Sequence, residues 1–299
     1  MEPALAAIFG SCDVEGGPTD EQLALLSALA SGYFHVPADL GSLSALSPEA
    51  ACASFEDEAQ RHRVFQLMVF AEMCRHPLTE AQVELTDAYA RAFGITDEAQ
   101  RIARDLVAHG NARAEADFLR VFGDHALDLQ EPAMTLAADS PDVVPPEVIE
   151  RIHSLGDCPP GSLGRAFAEF YEENGFEMLG PEDPMAGVFA AHDMSHVISG
   201  YGPTGVEEIA LGAMQIGIAD TEGHWIQFLG NLGVHEARFV RHNEVPPVLA
   251  APGAMEVVAH AFERGTATAR DFTVADHLSM ADLPLEEVRA RYGVAPRQR

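Results

Sequence analysis

The sequence predicts an all-α protein built from two helical domains. Helical periodicity of apolar residues recurs along the whole chain of 299 residues, and no run alternates in the way that strands require. Helix start signals (Thr-Asp-Glu) stand at residues 19–21 and 96–98, and helix-ending glycines stand at Gly94 and Gly293. A chain of this length can hold two ordinary domains, each with its own core.

The helices and the domain boundary follow in chain order. Amphipathic patterns predict helices over residues 20–32, 57–75, 79–93, 96–108, 112–121, 163–174, 185–199, 206–218, 222–240, 253–264 and 284–292. The segment 137–146 is rich in proline and acidic residues and predicts extended chain. We therefore predict domains over 1–140 and 141–299, and we expect residues 1–140 to be dispensable for the fold and the metal content of the second domain.

The charge of the chain argues against one class of partner. The sequence has 47 acidic and 18 basic residues, all of the latter arginine, and a formal net charge of -29. Such a field repels phosphate backbones, so we predict no nucleic-acid binding. Electrostatic docking on anionic lipid is disfavoured, whereas peripheral hydrophobic association with a membrane or a biosynthetic complex stays open, as does homo-oligomerisation.

The N-terminus, the hydropathy and the cysteines together predict a cytoplasmic location. The N-terminus lacks the basic region of a signal peptide, and no apolar run is long enough to span a bilayer. The four cysteines are scattered without CxxC spacing, which is typical of reduced thiols rather than a disulfide framework.

Two histidines and two carboxylates form the most informative pattern of the chain. His192 and His196 are four residues apart, so a helix places both imidazoles on one face, and Asp193 is also a helical neighbour of His196. Glycines and a proline in residues 200–205 end this helix, and a second helix can return Glu208 toward the first. These four residues, called the metal motif below, form a plausible ligand set for a divalent metal. The alternative is a hydrogen-bonded polar cluster between two helices.

Three residues outside the motif are candidates for a supporting or binding role. His235 and Glu236 lie in a histidine-rich stretch, and we predict that they are second-shell partners of the ligands, because ligand imidazoles need an acceptor for the free ring N–H. A buried polar pair is their alternative. Arg165, near a predicted helix start, is a candidate substrate anchor, and its alternative is a structural ion pair.

The order of these elements resembles a known family. The metal motif, the Gly-Ser-Leu-Gly-Arg run at 161–165 and the C-terminal helical segment make residues 147–299 similar to the coenzyme Q (ubiquinone) biosynthesis family called Coq-four. The resemblance implies an all-α domain that binds a divalent metal beside a cavity for a polyprenyl-bearing ring. It also implies a role in replacing the ring C1 carboxylate by hydroxyl, or in organising a biosynthetic complex. Residues 20–130 resemble the TerB-like helical domain of tellurite-resistance proteins.

The function predicted from these observations is a metal-dependent enzyme. The metal motif supplies both the metal-binding and the catalytic residues, and the metal would bind an oxygen of an aromatic or quinone-like substrate. Zinc is favoured, and iron, manganese and cobalt stay open. The apolar segment 188–191 favours an apolar, ring-bearing ligand. Two alternatives remain: a non-catalytic lipid-binding scaffold, and an HD-type hydrolase, which needs further His and Asp ligands.

Overall fold

The structure confirms the all-α class. A computed structural model describes residues 2–297 except 38, 97, 133–144, 182, 184 and 241–245. Over this part of the chain it contains fourteen α-helices and no β-strand. The helices are α1 (Glu2–Ser11), α2 (Asp20–Ala28), α3 (Pro48–Ala53), α4 (Glu58–Met73), α5 (Glu80–Phe93), α6 (Glu98–His109), α7 (Asn111–His125), α8 (Pro146–His153), α9 (Leu163–Asn174), α10 (Ala186–Ser199), α11 (Gly205–Ile218), α12 (Glu222–His235), α13 (Ala254–Ala267) and α14 (Leu285–Tyr292).

Capping residues explain why several predicted boundaries agree with the structure. The Thr19 hydroxyl accepts from the backbone N–H of Gln22, whose side chain accepts from the N–H of Thr19, so α2 begins with a capping box. Gly94 and Gly293 end α5 and α14 with φ of 71° and 72°, a left-handed conformation that costs a glycine little. The start signal at 96–98 includes Asp97, which lies outside the described residues.

The apolar periodicity did not predict three of the helices, and it predicted one helix that is longer than the structure shows. α1 lacks a recognisable start signal, and α3 is too short to show a period. α8 begins at Pro146, within the segment predicted to be extended; proline is tolerated in the first turn because that N–H has no helical partner. The predicted helix 222–240 ends at His235.

Packing divides the described chain differently from the predicted boundary. Unit 1 consists of Met1–Phe122 and Trp225–Glu263, and unit 2 consists of Gly123–His224 and Arg264–Arg299. Neither unit is continuous in sequence. Residues 137–144 of the predicted linker lie outside the described residues. Each unit takes residues from both sides of the predicted boundary, so the independent folding of 1–140 and 141–299 is a question for experiment. No described helix has both the length and the apolar character needed to cross a membrane.

Aromatic contacts hold the later segment of unit 1 against its early helices. The Trp225 ring stacks on the Phe70 ring of α4, with centroids 5.3 Å apart. The Phe228 ring packs edge-on against Phe70, with centroids 4.8 Å apart. Phe239 packs edge-on against Phe118 of α7 at 6.0 Å. Such pairs add to the free energy gained by burying the rings, so residues 225–263 depend on the first 122 residues for their core.

One carboxyl group in unit 1 is buried without a hydrogen bond. Glu72 of α4 is 1 % exposed, and neither of its oxygens makes a hydrogen bond among the described residues. Burial raises the pKa of Glu72 well above its usual range, and the nearby Thr86 hydroxyl lowers it by less. The folded protein therefore holds this carboxyl protonated at pH values where the unfolded chain releases the proton.

We expect Glu72→Gln to stabilise the protein at alkaline pH. The contribution of Glu72 to the stability of the native chain is present below pH 4.5 and is lost as the pH rises toward the raised folded-state pKa. A glutamine does not titrate, so its stability relative to the native chain should grow between pH 5 and pH 8, by about 1.4 kcal/mol for each pH unit below the folded-state pKa of Glu72. Urea unfolding at both pH values measures this difference. The exposed Glu84→Gln on α5 is the control, and an equal effect at both pH values contradicts the prediction.

Unit 2 surrounds helix α10 with other helices. α10 contacts α9, α11 and α14, and eleven of its fourteen residues are buried, including His196. The exceptions are Phe189, His192 and Asp193, which are partly exposed. A helix that is buried on almost every face holds its side chains in defined positions.

The Gly-Ser-Leu-Gly-Arg run fixes the start of α9. A Cβ at Gly164 would lie 2.8 Å from the Cys158 sulfur, so only glycine allows this approach. The N–H groups of Leu163 and Gly164 donate to the carbonyls of Leu283 and Ala281, at 2.9 and 2.8 Å. The run therefore joins α9 to the C-terminal segment of unit 2.

Candidate metal centre

The metal motif comes together in unit 2 as its spacing predicts. His192, Asp193 and His196 lie on α10, and one ligand atom from each lies within 4.8 Å of the others. Glu208 lies in the first turn of α11. Its Oε2 is 3.2 Å from His192 Nε2, and its Oε1 is 3.3 Å from His196 Nε2. The two Nε2 atoms are 3.1 Å apart.

These separations match those of ligands around one small cation. Zinc–nitrogen and zinc–oxygen bonds of about 2.0–2.1 Å in a tetrahedron place neighbouring ligand atoms about 3.3–3.4 Å apart. The observed 3.1–3.3 Å between the imidazole and Glu208 atoms is close to this value. The geometry therefore suits a shared metal ion.

The hydrogen bond made by the other ring nitrogen of His196, Nδ1, also favours a cation at this site. His196 Nδ1 lies 3.1 Å from the carbonyl oxygen of Tyr201, which can only accept, so Nδ1 carries the proton. In the neutral ring, Nε2 then presents a lone pair toward Glu208 Oε1, which also has only lone pairs to offer. A cation between them would turn this acceptor–acceptor contact into two ligand bonds.

Two aromatic residues of α9 support the ligands. The Tyr171 hydroxyl donates to Asp193 Oδ2 at 2.5 Å, which orients the carboxylate. The Phe170 ring lies parallel to the His196 imidazole, with centroids 5.5 Å apart. Ligands held in this way by neighbours need little reorganisation on metal binding.

Burial and the contacts among its own members shift the pKa values of three residues in the cluster. Burial alone would raise the pKa of Glu208, but the adjacent imidazoles of His192 and His196 outweigh it and hold that pKa well below its usual range. Burial lowers the pKa of His192, and Glu208 then raises it by more, so the net direction is upward. Burial raises the pKa of Asp193 despite the neighbouring imidazoles. Glu208 is thus ionised at neutral pH and ready to act as a ligand.

For two of the three residues predicted to support the site, Glu236 and Arg165, the structure shows other partners. Glu236 belongs to unit 1, where its oxygens contact His76 Nε2 at 3.1 Å and accept from the N–H groups of Val248 and Leu249. His235 ends α12 in the same unit. These contacts match the buried-pair alternative for Glu236 and give no support for the second-shell role. Arg165 donates to the Gly156 carbonyl and pairs with Glu169, as the structural alternative predicted.

The groups that contact the metal motif in the structure were not among the residues predicted from the sequence. Phe167, Phe170 and Tyr171 lie at helical spacing on α9, and a tyrosine within an apolar stripe is a signal that a polar tip needs a partner. The Tyr201 carbonyl is a main-chain atom just after the left-handed Gly200 that ends α10. Only the position of that glycine could have indicated that the chain folds back toward His196.

Comparison with known proteins adds little to this geometry. No protein-family model and no curated protein sequence matches the chain. Among solved structures, one similar chain is a protein from Nostoc punctiforme that is provisionally named a ubiquinone biosynthesis protein. The match has 14% identity and a TM-score of 0.36, and it covers 79% of this chain and 98% of that one. Because identity and TM-score are both low, the side-chain geometry carries the functional argument.

Proposed function

We propose that the metal motif holds a divalent metal and that the protein is a metal-dependent enzyme acting on an aromatic or quinone-like ring. The observation that carries the proposal is the convergence of His192 Nε2, His196 Nε2 and the Glu208 carboxylate within 3.3 Å, with Asp193 beside them. Two imidazoles and two carboxylates suit zinc, iron, manganese and cobalt, and zinc is favoured. When bound, such a metal supplies Lewis-acid stabilisation of negative charge on a ligand oxygen.

The exposure of the ligands indicates where a substrate would approach. His192 and Glu208 side chains are 14% and 15% exposed, whereas His196 is 1% exposed. Access is therefore at the His192 and Glu208 side of the cluster. His196 lies on the buried side of the cluster, where it donates to the Tyr201 carbonyl and packs against Phe170.

An aromatic surface lies next to the cluster. Phe176 packs edge-on against Phe170 at 5.9 Å and against Tyr171 at 5.8 Å, and it is 43% exposed. Aromatic faces and edges are favourable partners for a ring-bearing ligand. This surface and the resemblance to ubiquinone-biosynthesis proteins support a ring substrate, with ring decarboxylation and hydroxylation as the proposed reaction.

A non-catalytic scaffold is the second candidate, favoured by the burial of α10. Four protein ligands can complete a structural metal site, and a metal there would fix α10 against α11. In that case the protein binds an apolar ring-bearing lipid without converting it. The described cavities, of about 440 and 220 Å³, are lined by residues of unit 1 and include none of the metal motif.

Turnover by defined metal-loaded protein separates the two functions. Replacing a ring carboxylate by hydroxyl is a two-electron oxidation, so the assay supplies dioxygen and water and measures carbon dioxide and hydrogen peroxide. We expect the purified chain to convert a prenylated hydroxybenzoate when loaded with iron, manganese or cobalt. Zinc-loaded protein, whose metal acts only as a Lewis acid, is the comparison. Protein with His192→Ala and His196→Ala should form neither product. Mass spectrometry of co-purified molecules identifies a bound lipid. A metal-loaded protein that binds such a lipid and leaves it unchanged with every metal contradicts the enzyme and supports the scaffold.

A further inference from the structure

The turn between α10 and α11 is held by three arginines of unit 2. Arg289 donates to the carbonyls of Val197 and Ile198, at 3.0 and 2.9 Å. Arg264 donates to the Ser199 carbonyl at 2.8 Å, and Arg297 donates to the Gly200 carbonyl at 3.3 Å. The next carbonyl, that of Tyr201, accepts from His196. Each carbonyl from 197 to 201 thus has a side-chain donor.

Arg264 differs from the other two because it is buried and has no acidic partner. Arg289 pairs with Glu286, and Arg297 pairs with Glu207. Arg264 is 8% exposed, and no carboxylate of the described residues lies within ion-pair distance of it. Its Nη2 instead bridges the carbonyls of Ser199 and Ala295, both at 2.8 Å. The negative end of the α10 dipole stabilises this charge.

Arg264 and Arg297 also hold the Tyr201 ring. The two guanidinium carbons lie 5.1 and 4.6 Å from the ring centroid, within the range of cation–π attraction. The ring is 2% exposed. Arg264 holds the Ser199 carbonyl, and both arginines hold the Tyr201 ring. The main chain of Tyr201, with the carbonyl that accepts from His196, therefore has a defined position.

The turn also places Glu208. The Gly202 N–H donates to Glu207 Oε2 at 3.0 Å, and Glu207 pairs with Arg297. Glu208 is the next residue, in the first turn of α11. The position of this turn therefore decides both where His196 is anchored and where the Glu208 carboxylate returns.

We propose that Arg264 is a positioning residue of the metal centre, acting through Ser199 and Tyr201 on His196 and Glu208. The inference rests on the proposed metal centre. Its competitor is a purely structural role, in which Arg264 stabilises the end of α10 and leaves the geometry of the ligands unchanged.

Cobalt(II) is the probe that separates these roles, because its visible absorption depends on coordination geometry. Arg264→Lys keeps the charge but loses the planar guanidinium, whose Nη2 bridges the two carbonyls and whose carbon lies over the Tyr201 ring. In the full chain we expect this variant to bind cobalt about 10- to 100-fold more weakly, the usual cost of removing support from a ligand, with a changed cobalt spectrum. Arg291→Lys is the matched control: it lies on α14, is 42% exposed, and pairs with Glu287. It should match the native chain in affinity and spectrum.

The metal-free variants are first compared by circular dichroism, so that only folded protein is titrated. If Arg264→Lys does not fold, Tyr201→Leu carries the same expectation, since it removes the ring that both guanidiniums contact and keeps the carbonyl. Native affinity, or weaker affinity with an unchanged cobalt spectrum, overturns the positioning role and leaves the metal centre standing. Absence of cobalt binding to the native chain overturns the metal centre and this inference with it.

Discussion

Replacing His192 and His196 together with alanine is expected to abolish binding of zinc, iron, manganese and cobalt. Both nitrogen ligands disappear, and the carboxylates that remain favour hard cations such as magnesium over these borderline metals. The metal content of purified protein should fall from about one equivalent to background, and His196→Ala alone should lose most of the metal.

The metal affinity of the native chain should also fall with decreasing pH, because protons compete for His192. Burial lowers the pKa of His192, but Glu208 raises it by more.

His260→Ala is the matched control for this experiment. His260 is exposed and lies on α13, so its removal should leave the metal content unchanged. Full metal occupancy in the double variant would refute the proposed centre. Loss of metal together with loss of helical circular dichroism would show that the two imidazoles also support the fold, and Glu208→Gln, which retains the shape of the side chain, then provides the test.

A chain of residues 141–299 alone is expected to aggregate or to unfold without cooperativity. This result opposes the expectation from the sequence that 1–140 is dispensable. The fragment carries residues 225–263 without the residues that bury them: Trp225 and Phe228 lose Phe70, and Phe262 loses its contact with Tyr33 at 5.6 Å. Truncating one buried aromatic ring costs about 3–5 kcal/mol, so the loss of several such contacts approaches the whole stability of a domain.

Co-expression of 1–140 with 141–299 as separate chains tests the cause directly. The two chains together should restore solubility, cooperative thermal unfolding and metal content, because the core of unit 1 can then form. If the 141–299 fragment alone is soluble, unfolds cooperatively and retains metal, the predicted domain boundary is correct and the packing of residues 225–263 is dispensable.

The helices were predictable because their signals are local. Apolar spacing, the Thr19 capping box and the glycines after α5 and α14 act within a few residues, so the printed sequence contains them in full. The metal motif shares this property. The i, i+4 spacing places His192 and His196 on one face of α10, and a short turn allows Glu208 to return.

The surroundings of that motif depended on contacts between distant segments. Tyr171 reaches Asp193 from another helix, and the arginines that hold the turn after α10 come from the last third of the chain. Glu236 lies in a histidine-rich stretch of the sequence, yet in the folded chain its carboxylate contacts His76 of unit 1. Local patterns thus specify which residues can be ligands, whereas long-range packing decides which neighbours orient them, because burial and hydrogen bonding are satisfied only when the whole chain is folded.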